Sequence, residues 1–287
     1  MRLIGRLIAA AIVVVGILSS TFTDTPVRSG WVRSTVSITV GGLARSYLVA
    51  RPAGAGTASL PVLMELHGCC TTPAVELDRS GFLDVTGPAI LVYPAGYDKH
   101  WNAGACCGTT DADDVAFVAA VVKQVLAEQE DADADRVYLA GYSNGGRMAY
   151  RIACERPDLF AAVAVFGAVN AKACTDPAPV PLLVAAGTAD PELAISAGAT
   201  RHTVNGYLEP TVQEQVEQYR QANRCRAGPV TSTAGSLTSS TWTDCESGDP
   251  VQLSLYVGGD HAWPQAAGAT QAVAQVIWTF FERVRDR

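Results

Sequence analysis

Six short apolar runs recur along the 287-residue chain, at residues 61–66, 89–93, 137–140, 161–166, 181–186 and 251–257. Helical patterns cover 114–128, 144–155, 211–222 and 270–285. A strand that is apolar along its whole length has to be buried on both faces, and helices between such strands supply the cover. The alternation predicts an α/β fold: a mostly parallel sheet with helices on both faces. Ahead of it, Val36, Ile38 and Val40 share one face of an alternating stretch, and Gly41-Gly42 turn the chain into Ser46-Tyr47-Leu48-Val49. That pattern reads as a β-hairpin. Asp113 or Asp114 is placed to cap the first helix, where a carboxylate satisfies free N–H groups. The Ser/Thr-rich stretch 231–241 reads as a surface loop. The pattern shows neither an internal repeat nor a second domain.

Arg2 and Arg6 precede an apolar or small-residue run from Leu7 to Leu18. The run has the length of a signal-peptide core and is short for a membrane span. Residues 1–23 are therefore read as a signal peptide, with an uncleaved anchor as the alternative. Residues 24–30 read as a polar linker and 31–287 as one α/β domain. Formal net charge is −7 and no Lys/Arg cluster appears, which argues against nucleic acid or anionic lipid as partner. No membrane contact is expected beyond the N-terminal signal.

Eight cysteines, an even count in an exported chain, suggest disulfides. With no C-x-x-C and no His–Cys pair at ligand spacing, no metal is expected. Cys225 follows the helical stretch 211–222 and Cys245 closes the Ser/Thr-rich segment, so a bridge between them would pin that segment. Cys154, late in its helix, can meet Cys174 after the next strand. Cys69 and Cys70 are expected to bridge to Cys106 and Cys107, once or twice, joining two loops.

The most specific chemical signal is Gly141-Tyr142-Ser143-Asn144-Gly145-Gly146, which follows one strand and opens a helix. A G-x-S-x-G in that context is the nucleophile elbow of the α/β-hydrolase fold. It exposes the serine hydroxyl at the carboxyl edge of the sheet, and small residues at Gly141 and Gly145 let the backbone pass. A serine hydroxyl needs a base, and the base an orienting acid. This fold presents them in the chain order Ser, acid, His. Of four histidines, His67 and His100 precede Ser143, and His202 follows no clear strand. His261, on the loop after 251–257, is the expected base. Asp190, on the loop after 181–186, is the expected acid. Its rivals are Glu192 and Asp176, of which Asp176 precedes its strand. Asp260 is read as a loop hydrogen-bonding residue. The tetrahedral oxyanion needs two donors. One is expected from the N–H of Asn144, the other from the N–H of Cys69, with Cys70 second. His67 is read as shaping that loop.

Leu66-His67-Gly68-Cys69, Tyr93-Pro94, Trp101-Asn102, Asp113-Asp114-Val115, the elbow, Gly187-Thr188-Ala189-Asp190 and His261-Ala262-Trp263-Pro264 occur in that order. From about residue 35 to 285 the pattern resembles the polyhydroxybutyrate depolymerase and feruloyl/acetylxylan esterase group related to carbohydrate esterase family one. The resemblance implies an α/β-hydrolase that uses Ser143, Asp190 and His261, needs no cofactor, and acts on small or oligomeric esters. It also implies that Trp101 and Asn102 border the acyl pocket. Tyr142, beside the nucleophile, would add an aromatic wall. Trp101 packed on a disulfide is the other reading. The doubled cysteines depart from the group's pattern. No polymer-binding module follows, so soluble feruloyl, acetyl or hydroxyalkanoate esters are expected ahead of solid polymer. A serine exopeptidase of the same fold and a non-catalytic cell-envelope protein are the competing functions.

Overall fold

The strand Leu60–Leu66 is buried at every position, as an apolar run inside a covered sheet must be. The computed structural model describes residues 24–28, 30–54, 58–104, 106–107, 111–264 and 271–285, so the signal-peptide reading of 1–23 falls outside them. In chain order the strands are β1 (Thr25–Arg28), β2 (Trp31–Val40), β3 (Leu43–Pro52), β4 (Leu60–Leu66), β5 (Ile90–Pro94), β6 (Ala132–Tyr142) and β7 (Ala162–Phe166). They continue as β8 (Leu182–Gly187), β9 (Thr203–Val204), β10 (Tyr207–Leu208), β11 (Val230–Ala234), β12 (Leu237–Trp242) and β13 (Val251–Tyr256). The helices are α1 (Pro73–Ser80), α2 (Phe82–Val85), α3 (Asp114–Glu128), α4 (Asn144–Glu155), α5 (Val212–Ala222) and α6 (Val273–Arg285).

One 11-stranded sheet runs β1-β2-β3-β5-β4-β6-β7-β8-β13-β12-β11. Its centre, from β5 through β13, is parallel. The β1-β2-β3 and β12-β11 flanks are antiparallel. The chain moves from β4 outward to β5 and then returns to place β6 on the other side of β4. Such a reversal opens a crevice at the carboxyl ends of the two strands, where open α/β sheets bind ligands. Strand period two sorts the core into two layers. Val62, Met64 and Leu66 pack under α3, α4 and α5, and Leu63 packs under α1, α2 and α6.

Local chemistry sets the helix ends. Asp113 accepts from the N–H of Ala116 at 2.9 Å and caps α3. Asp114 is instead buried in an ion pair with Arg45 at 2.7 Å. Thr211 and Glu214 cap α5 reciprocally.

Three expectations need correction. The stretch 24–30 read as linker contains β1, which pairs along the start of β2. The stretch 231–241 read as a loop is the β11–β12 hairpin, with hydroxyls meeting across it at Thr231–Ser240 (3.1 Å) and Thr233–Thr238 (3.4 Å). β11 is exposed at every position. An edge strand with so little to bury carries no apolar alternation to betray it. The last helix begins at Val273 rather than at 270.

Candidate active site

β6 ends at Tyr142, and Ser143 turns the chain into α4 with φ 52° and ψ −119°. A non-glycine residue at positive φ is strained, and the packing around it has to hold it there. Gly141 and Gly145 make the turn feasible. A Cβ on Gly141 would lie 2.5 Å from the carbonyl oxygen of Gly145, and one on Gly145 would overlap the carbonyl oxygen of Leu66. α4 therefore starts against the end of β4, and Ser143 sits at the crevice between β4 and β6.

His261 comes from the loop after β13 and Asp190 from the loop after β8. Parallel pairing of these strands brings the two loops side by side. Ala189 donates its N–H to the carbonyl of Gly259 (2.8 Å), Thr188 to that of Tyr256 (2.9 Å), and Gly258 to the Thr188 hydroxyl (2.8 Å). Gly187 admits this approach, since a Cβ there would collide with the carbonyls of Gly259 and Asp260. His261 Nδ1 lies 2.8 Å from Asp190 Oδ2, and Nε2 lies 2.9 Å from Ser143 Oγ. An ionised Asp190 accepts only, so Nδ1 carries the proton and Nε2 is left to accept from the serine hydroxyl. The Asp190 side chain is fully buried, and its Oδ1 accepts from the N–H of Glu192 at 2.8 Å. Glu192 thus meets Asp190 through its backbone and not through its carboxylate. Asp176 is exposed before β8, and Asp260 accepts from the N–H of Ala262, as a loop residue.

The loop after β4 is braced by buried polar contacts. His67 donates from Nδ1 to the Gly68 carbonyl (2.7 Å) and accepts at Nε2 from the N–H of Gly96 (3.0 Å). This bonding needs the neutral ring, and burial lowers the His67 pKa from 6.5 to about 4. The Cys70 N–H is spent on the Lys99 carbonyl at 3.0 Å. The N–H groups of Cys69 and Asn144 meet no acceptor among the described residues. Of the expected oxyanion donors, these two remain open.

Trp101 is buried, at 1% exposed. Its indole N–H donates to the His67 carbonyl at 2.9 Å, and its ring stacks on Phe117. Its backbone N–H and carbonyl are held by the Asn144 side chain. The tryptophan is a strut beneath the loop that follows β4, with its ring on the buried side. Asn102 is a fastener as well: its N–H donates to Asp114 at 2.7 Å, its amide to the Ala112 carbonyl at 3.1 Å. Tyr142 lies against His261. Its ring centroid is 5.6 Å from that of His261, and its hydroxyl donates to the His261 carbonyl at 2.9 Å. The side-chain roles of Asn144 and Arg45 carried no signal in the sequence, and Asp114, read there as a possible cap, pairs with Arg45 instead.

Cys154–Cys174 and Cys225–Cys245 are bridged as expected. The cross-links expected between the two cysteine pairs do not form: Cys69 is joined to Cys70 and Cys106 to Cys107. Cys70 Sγ lies 3.7 Å from Nε2 of His100. Cys69, Cys70 and His100 cluster within 4.8 Å, but sulfurs tied in a disulfide offer no thiolate to a metal. No described helix is long and apolar enough to cross a membrane.

Residues 45–209 match the family described as esterase PHB depolymerase. NocK of Nocardia uniformis subsp. tsuyamanensis, an esterase by name, is 31% identical over 255 residues, 79% of this chain and 73% of that protein. Feruloyl esterase B of Piromyces equi is 30% identical over 172 residues, 56% of this chain. This chain spans only 31% of that enzyme's length. The fold is similar to that of the acetyl xylan esterase from Aspergillus awamori, with a TM-score of 0.62 at 14% identity, covering 87% of this chain and 99% of that one. The chain belongs to the esterase PHB depolymerase family, carboxylic ester hydrolases on the α/β-hydrolase fold.

Proposed function

We propose that the protein is an exported serine carboxylesterase in which Ser143 is the nucleophile, His261 the general base and Asp190 the acid that orients it. The observation that carries this reading is the continuous line from Asp190 Oδ2 through both His261 nitrogens to Ser143 Oγ. Ser143 Oγ attacks the ester carbonyl carbon as its proton passes to His261 Nε2. The carbonyl π pair moves onto oxygen, which receives the N–H groups of Cys69 and Asn144. Collapse breaks the bond to the alkoxy group, and the imidazolium returns the proton to the departing oxygen. A water then repeats the sequence on the acyl-enzyme and releases the acid. These steps use only the chain's own groups and water.

Short-acyl, phenolic and hydroxyalkanoate esters are the proposed substrates. Relatives named as feruloyl esterases and a family named for PHB depolymerase support that range. Export is supported by the Arg2–Leu18 pattern together with Cys154–Cys174 and Cys225–Cys245. The test is kcat/KM for methyl ferulate, p-nitrophenyl acetate and a hydroxybutyrate trimer, beside an aminoacyl p-nitroanilide. Turnover of at least one ester class with none of the anilide is expected. Preferential anilide cleavage would make the protein a peptidase.

A further inference from the structure

Two carboxyl groups lie buried together behind the site. Glu65 extends from β4 on the α1 side of the sheet and Glu76 comes from α1; they are 1% and 0% exposed. Among the described residues Oε1 of Glu76 meets no hydrogen-bond donor, and the groups within hydrogen-bonding influence of Glu65 are Glu76 itself and the Ser80 hydroxyl, which Glu65 shares with Tyr93. Two ionised carboxylates only accept, so burying both at one place leaves like charges face to face. One proton between them removes the repulsion and supplies the missing donor. Burial and the adjacent Glu76 carboxyl push Glu65 well above the usual carboxylate range.

The end of α1 carries this pair to the base from two directions. Arg79 donates to Glu76 Oε2 at 2.5 Å and lays its guanidinium 4.7 Å from the centroid of the Tyr142 ring. Tyr142 in turn holds the His261 carbonyl. On the other side, the Ser80 carbonyl accepts from the indole N–H of Trp263 at 3.0 Å, two residues beyond His261. The Ser80 hydroxyl meets Tyr93 of β5 at 3.1 Å and ties the same turn to the sheet.

We propose that α1 positions His261, with Glu65, Glu76 and Arg79 as its positioning residues and a single proton shared by the two carboxyl groups. This rests on reading His261 as the general base. The charges acting on Glu65 are those of Glu76 and Arg79. Tyr93 of β5 and Tyr142 of β6 stand beside them, and Asp190 and Asp260 reach Tyr142 from the loops after β8 and β13. α2 and α6 turn apolar side chains to this layer. Loss of the shared proton at alkaline pH puts a second negative charge into an apolar layer, which α1 can relieve only by moving. The base then loses both supports.

The experiment follows hydrolysis of methyl butyrate by pH-stat from about pH 6 to about pH 10. It uses the wild type, Glu65→Gln, Arg79→Met and Ser143→Ala, with far-UV circular dichroism at each pH. The wild type should lose kcat on the alkaline side while still folded. Glu65→Gln, which donates as the protonated acid does, should keep neutral-pH kcat within about threefold and lose the alkaline decline. Arg79→Met should lower kcat about tenfold with KM within about twofold, as displacement of a base does. An unchanged alkaline decline in Glu65→Gln, no decline in the wild type, or full kcat in Arg79→Met would overturn the proposal. Should Glu65→Gln not fold, infrared spectra of wild type labelled with ¹³C-glutamate decide. A protonated glutamate carbonyl band at neutral pH that fades along with kcat is expected, and its absence overturns the shared proton. Turnover by folded Ser143→Ala would sink the triad reading itself. An inactive Ser143→Ala beside an unchanged Glu65→Gln profile sinks only the positioning role.

Discussion

The Tyr142 hydroxyl donates to the His261 carbonyl across 2.9 Å, so the residue before Ser143 holds the loop that carries His261. Phenylalanine at position 142 keeps the ring beside His261 and removes only this bond. Tyr142→Phe should lower kcat about three- to tenfold and cost about 1 kcal/mol of stability. Steady-state kinetics beside urea denaturation measure both. An unaltered kcat would mean that the bond does not position the base.

Removing members of the proposed triad should produce losses that do not add. Ser143→Ala and His261→Ala should each reduce kcat by a factor on the order of 10⁶, and the double variant by little more. Asp190→Asn should cost about 10⁴, because an amide at that place favours the wrong imidazole tautomer. Single-turnover assays on variants with wild-type circular dichroism give these ratios. Independent, multiplicative losses would argue against one relay.

His67 makes the fold sensitive to acid. Its folded pKa of about 4 lies below the usual 6.5, so between those values the unfolded chain binds a proton that the folded chain refuses. The stabilisation is complete above about pH 6.5 and is lost as the pH falls to about 4; a shift of this size corresponds to about 3 kcal/mol. Urea midpoints measured across that range should fall for the wild type and fall less for His67→Gln. Equal slopes would show that another group drives the acid loss.

The Cys154–Cys174 bridge closes a 20-residue separation between the end of α4 and the loop that follows β7. Cys154→Ser with Cys174→Ser should lower stability by roughly 2–4 kcal/mol through the freed unfolded chain. The triad distances should not change, since Ser143 is at the other end of α4. Denaturant titration and kcat on the double variant separate the two effects. A large loss of kcat without loss of stability would tie the bridge to the site.

Some of this protein is set by neighbours in sequence. The apolar runs at β4 through β8, the Ser143 elbow between its two glycines, a cap at Asp113 or Asp114 and the chain order of Ser143, Asp190 and His261 are all legible there. Period, turn sterics and chain order act over a few residues at a time and leave a local trace. What tertiary structure decided depends on strand order and register. Trp101 reads as a pocket wall or as packing on a disulfide, and only the tertiary structure supplies Phe117, the His67 carbonyl and the Asn144 side chain that hold it. Glu65 interrupts an apolar strand, and only the packing of α1 on β4 supplies Glu76 as its partner. The cysteines follow the same division. Cys154 and Cys174 lie on consecutive elements, so their approach is foreseeable. Cys69 and Cys106 are joined to their own sequence neighbours, Cys70 and Cys107, a choice over the cross-link that the local pattern left open. A side chain's partner is a long-range property wherever the groups that meet it come from strands far apart in sequence.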